Sequence, residues 1–69
     1  MVEVFKTNVG SIAESVLLLD QLHACFPSVK INFDLEDCDR ILRIEGTDIC
    51  IKTVSGILSS HNFTCEVLL

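Results

Sequence analysis

Between Val29 and Glu36 the chain alternates apolar and polar residues without a break: Val29, Ile31, Phe33 and Leu35 against Lys30, Asn32, Asp34 and Glu36. A period of two over this length marks a strand with one face buried and the other in solvent. Elsewhere the apolar period moves between two and about 3.6, so strands and helices can be assigned in order along the chain.

Val2 to Thr7 alternates as a first strand. Asn8-Val9-Gly10-Ser11 then supplies turn and N-cap residues for a helix from about Ile12 to Phe26, which Pro27 ends. Ile12, Val16, Leu19 and Leu22 or His23, with Phe26, are expected to form its core stripe. After the Val29 strand, the turn Glu36-Asp37-Cys38-Asp39 leads into a strand from Arg40 to Glu45, making a hairpin. Gly46-Thr47-Asp48 breaks the pattern, and Thr47 or Asp48 is the expected cap of a helix from Ile49 to Ser60. Ile51, Val54 and Leu58 form one stripe of that helix, and Cys50, Val54 and Ile57 an adjoining one. His61-Asn62 ends it, with Asn62 suited to the left-handed conformation of a helix C-terminus. Phe63, Cys65, Val67 and Leu69 alternate along a last strand.

The order β-α-β-β-α-β has few compact solutions, because a half-apolar sheet needs helices over one face and crossovers between parallel strands are right-handed. The expectation is an α+β ferredoxin-like sandwich: one domain over residues 1–69, a four-stranded antiparallel sheet in the order 4-1-3-2, and both helices on one side.

A domain of 69 residues buries only about 60% of the surface its unfolded chain exposes, so cross-links would be useful to it. The four cysteines, Cys25, Cys38, Cys50 and Cys65, lie 13, 12 and 15 residues apart and include no CxxC or CxH pair. That spacing is neither a disulfide framework nor a zinc knuckle, and four reduced thiols are expected. The first residues alternate and lack the apolar core of a leader, and Val16 to Leu19 is too short to span a bilayer. A cytoplasmic protein with no membrane partner follows as an expectation. Net charge is -5, with Lys6, Lys30, Arg40, Arg43 and Lys52 scattered, so the dense positive patch that nucleic acid requires is lacking.

Three stretches resemble the heavy-metal-associated domain of copper chaperones and metal-transporting ATPases. They are Phe5-Lys6 through Val9-Gly10, Phe26-Pro27-Ser28-Val29 with Ile31-Asn32-Phe33-Asp34-Leu35-Glu36, and His61-Asn62-Phe63 in the place of the family's Gly-Tyr or Gly-Phe. The resemblance implies the same fold. The family's metal loop, of Met-x-Cys-x-x-Cys type, is missing: counting back from Pro27, its cysteines fall on Ile12 and Ser15, and no residue from Thr7 to Ser15 is Cys, His or Met. Neither side chain suits a soft cation. Ser28 and Asn62 also replace two glycines, which bears on turn geometry alone.

The expected topology gathers the β1-α1 loop, the hairpin tip and the α2-β4 loop at one end. A substitute metal site of Cys38 and His61 with a carboxylate from Asp37 or Asp39 is one reading; a solvent-exposed turn cysteine and a helix-ending histidine is the other. At the far end Cys25 and His23 approach Cys50, with Cys25 and Cys50 expected as core filling and Cys50 also placed where a helix dipole lowers a thiol pKa. Cys65, between Phe63 and Val67, is expected in the core. The acids Asp34, Glu36, Asp37 and Asp39 lack the glycine and distal glutamate of a calcium loop, and Arg40 and Arg43 beside them reduce their repulsion.

No base, nucleophile and oxyanion site converge, so no enzyme and no cofactor are expected. Apolar residues make up 49% of the chain, more than so small a body can hide. Leu17 and Leu18 widen the first helix's stripe, and Val2, Val4, Ile41 and Leu68 are expected on the open side of the sheet. The leading expectation is an interaction or adaptor domain that binds a protein or itself through Leu17 and Leu18 or the open sheet. A carrier of copper or zinc using other ligands, and a regulatory small-ligand module, are the alternatives.

Overall fold

The computed structural model describes residues 1–68. Their elements are β1 (Val2–Thr7), α1 (Ile12–Cys25), β2 (Lys30–Asp34), β3 (Ile41–Glu45), α2 (Ile51–Ser60) and β4 (Cys65–Leu68). The strands form one sheet in the order β2-β3-β1-β4 with every neighbouring pair antiparallel. This is the expected sheet counted from its other edge. Leu69, assigned to the last strand from the sequence, lies outside the described residues.

Register decides which side chains meet. Phe5 stands opposite Leu42 and Val67, Phe33 opposite Leu42, and Ile31 opposite Ile44. Directly opposed residues share a face, so these side chains form one apolar surface, and Leu18, Leu22, Val54 and Leu58 of the two helices close over it in a single core. The other face carries Lys30, Asn32, Asp34, Arg43 and Glu45, all exposed. Val2, Val4, Ile41 and Leu68 share that face by register, as expected, although Ile41 is buried there.

Helix α1 starts as its sequence indicates. Ser11 caps it by accepting the Glu14 amide at 3.1 Å, and the Glu14 carboxylate reaches back to accept the amide of Gly10, the residue before the cap, at 3.0 Å. Its buried face differs from the expected stripe: Ser15, Leu18 and Leu22 point inward, whereas Ile12 and Val16 are exposed. The reason lies in composition. Apolar residues surround most of this helix, so periodicity alone does not select a face, and packing into the core selects the one that carries Leu18 and Leu22. The Ser15 hydroxyl is satisfied by donating to the Ile12 carbonyl at 2.7 Å.

Helix α2 begins at Ile51 with Cys50, in extended backbone, as its N-cap, two residues later than expected; Asp48, an expected cap, takes a left-handed conformation instead, φ 56°, where an N-cap residue is extended. Val54 and Leu58 are buried, Ile57 is half-buried and Ile51 is exposed. Asn62 adopts the left-handed conformation expected of it, φ 67°, and the Asn62 and Phe63 amides donate back to the Ser59 and Leu58 carbonyls.

Candidate functional site

The β1-α1 loop, the hairpin tip and the α2-β4 loop do gather at one end, held by side-chain bonds. The Asn8 side-chain oxygen, Oδ1, accepts the Thr64 amide at 2.8 Å. Thr7 is buried, with its hydroxyl donating to the Arg40 carbonyl at 2.6 Å and accepting the Val9 amide at 3.2 Å. The Thr7 amide in turn donates to the Asp39 carbonyl at 3.1 Å. Where the resembling family would hold its two thiolates, Ile12 projects into solvent and Ser15 is folded inward.

At the hairpin tip Asp37, Cys38 and Asp39 bring a thiol and two carboxylates within 4.8 Å of one another. Both carboxylates already have partners: Asp37 Oδ1 accepts the Asp39 amide at 2.8 Å, and Asp39 Oδ1 lies 3.6 Å from the Lys6 ammonium. His61 stands outside this group. It is the C-cap of α2, half-buried, with its amide bonded to the Leu58 carbonyl. The structure therefore unites Cys38 with the two aspartates but not with His61. Lys6 rather than Arg40 or Arg43 forms the ion pair found among the described residues. It bridges β1 to the tip, which the chain's local order could not indicate.

The four cysteines are free and separate. Cys25 and Cys50 are exposed rather than core filling: Cys25 is the last residue of α1, beyond the turns that Leu18 and Leu22 bury, and Cys50 precedes the first turn of α2. With His23 they form no group of three ligands among the described residues. Cys50 closes no capping bond with its side chain, yet its thiol is lowered below its usual pKa, first by the Thr53 hydroxyl, then by the Thr53 and Lys52 backbone amides and the Lys52 charge. Cys65 is half-buried rather than fully in the core, since β4 is an edge strand. Burial raises its pKa from 9.0 to about 11, with the Ser55 hydroxyl opposing in part.

The largest apolar exposure on an element lies along α1. Ile12 is 76% exposed, Val16 57% and Leu17 46%, and with exposed Ala13 they occupy adjoining positions on the helix surface. Leu18 is the correction to the expected surface: at 0% exposure it is core, one residue's rotation away from Leu17. Ile12 and Val16, which sequence periodicity assigned to the core, belong to the surface instead. The available signal was that α1 has more apolar residues than one buried face can take. The described residues enclose no pocket and include no helix long and apolar enough to cross a membrane.

No family model, curated protein or solved structure matches the chain.

Proposed function

We propose that the chain is a non-enzymatic interaction domain, of heavy-metal-associated-like architecture without the metal loop, that docks a protein through the outer side of α1. The carrying observation is the exposed row Ile12, Ala13, Val16 and Leu17, an apolar surface on an element whose own core face is already filled by Leu18 and Leu22. Such surfaces on small proteins mark sites of association. The open sheet face, the other expected surface, is dominated by Lys6, Lys30, Asp34, Arg43, Glu45 and Glu66 and suits solvent better.

Charge selects the kind of partner. Helix α1 carries Glu14 and Asp20 and no lysine or arginine, on a chain of net charge -5. A partner offering apolar side chains flanked by basic ones satisfies both parts of this surface.

Paired affinity capture from the host extract tests the reading, with the wild-type protein and an Ile12→Lys/Leu17→Lys variant as baits and an Arg43→Ala variant on the open face as control. A protein held by wild type and control but lost by the α1 variant, and binding directly when purified, supports it. Identical capture by all three baits removes α1 as the docking surface.

A further inference from the structure

We propose that two copies of the chain associate by pairing β2 with β2, joining their sheets edge to edge about a two-fold axis at Asn32. This goes beyond the α1 reading and uses a separate surface. Strand β2 is an edge of the sheet: β3 lies on one side of it and, among the described residues, no strand on the other. An unpaired edge presents a row of amides and carbonyls ready to accept another strand, and proteins usually block it with proline, a bulge or unmatched charge. Strand β2 has no proline, its register with β3 runs unbroken from Lys30 to Asp34, and its charges are matched in a particular way.

The segment Lys30-Ile31-Asn32-Phe33-Asp34 is complementary to itself read backwards. In an antiparallel pair centred on Asn32, Lys30 stands opposite Asp34 of the second copy, Ile31 opposite Phe33, and Asn32 opposite Asn32. Opposed residues share a face. Both Lys-Asp pairs therefore fall on the open side, where Lys30 and Asp34 are exposed, and both Ile-Phe pairs fall on the helix side, where Ile31 and Phe33 are only half-buried. A second copy would cover them.

The opposite edge of the sheet lacks this property. Pairing β4 with itself about Glu66 sets two carboxylates against each other, and pairing about Val67 sets Glu66 against Leu68. The two cross-edge ion pairs at β2 also offset, locally, the repulsion between copies that each carry a net charge of -5. A second copy of the chain is accordingly the occupant that the β2 edge fits.

Sedimentation of the wild type, of Lys30→Asp, of Asp34→Lys and of an equimolar mixture of the two variants tests the proposal. Wild type is expected to dimerise as concentration rises. Each variant alone opposes like charges at both ends of the pairing and should weaken dimerisation by at least about tenfold. The mixture restores an opposite pair at each end and should recover a mixed dimer close to wild type in affinity. Leu17→Lys should leave dimerisation unchanged, which separates this edge from the α1 surface. Should a charge variant fail to fold, Asn32→Arg, which sets two guanidinium groups side by side on the axis, reads the same contact. A wild type that remains monomeric at millimolar concentration, a dimer that neither variant weakens, or variants that mixing does not rescue would each overturn the proposal.

Discussion

The Thr7 hydroxyl donates to the Arg40 carbonyl across 33 residues of sequence, at 2.6 Å. It fastens the end of β1 to the start of β3, where Arg40 takes a left-handed conformation, φ 48°. The same oxygen accepts the amide of Val9, a fully buried residue. Replacing Thr7 by valine keeps the shape and leaves both groups without that partner, so Thr7→Val is expected to destabilise the fold by about 1–3 kcal/mol. Urea unfolding checks this, and Thr7→Ser, which keeps the hydroxyl, should lose clearly less.

Adjacent leucines on α1 should behave differently. Leu18 is fully buried and Leu17 is 46% exposed. Leu18→Ala is expected to cost about 2–5 kcal/mol, and Leu17→Ala no more than about 0.5 kcal/mol. Equal losses in chemical denaturation would mean that the helix is rotated from the face described above.

Gly46 has no left-handed backbone to justify it; it is required by proximity. A Cβ there would lie 2.5 Å from Val29 Cγ1 and 3.1 Å from Val29 Cβ, and Val29 is itself buried. Gly46→Ala is expected to destabilise by about 1–3 kcal/mol through overpacking. In a Val29→Ala background the same substitution should cost less, a non-additivity of about 1 kcal/mol that a double-mutant cycle measures.

The thiols should separate kinetically. Cys50 is exposed with a lowered pKa, and Cys65 is half-buried with its pKa raised to about 11. Near pH 8, iodoacetamide is expected to modify Cys50 well ahead of Cys65, because the thiolate is the nucleophile, and Thr53→Val should slow Cys50. The raised pKa of Cys65 also has a consequence for stability. Its neutral form is favoured by the fold, so stability is unaffected below the unfolded pKa of 9.0 and falls as pH rises from 9.0 towards about 11. Cys65→Ala should flatten that alkaline decline in a pH series of thermal melts.

The order of elements and the sheet were legible in the chain itself. Alternation through Val29 to Leu35 imposes a half-buried strand, Ser11 and Glu14 mark where α1 begins, and Asn62 supplies the left-handed residue after α2; each is a preference expressed within a few residues. With those elements in that order, few sheet topologies are open, and the one expected is the one found. The face that α1 buries was not legible, because Ile12, Val16, Leu17 and Leu18 offer comparable apolar area and only packing against Phe5, Leu42 and Ile44 distinguishes them. The candidate sites divide the same way. Asp37 and Asp39 join Cys38 because a tight turn brings sequence neighbours together, whereas the exclusion of His61, the Lys6 ion pair and the exposure of Cys25 and Cys50 arise from the relative placement of distant segments, which tertiary packing alone sets.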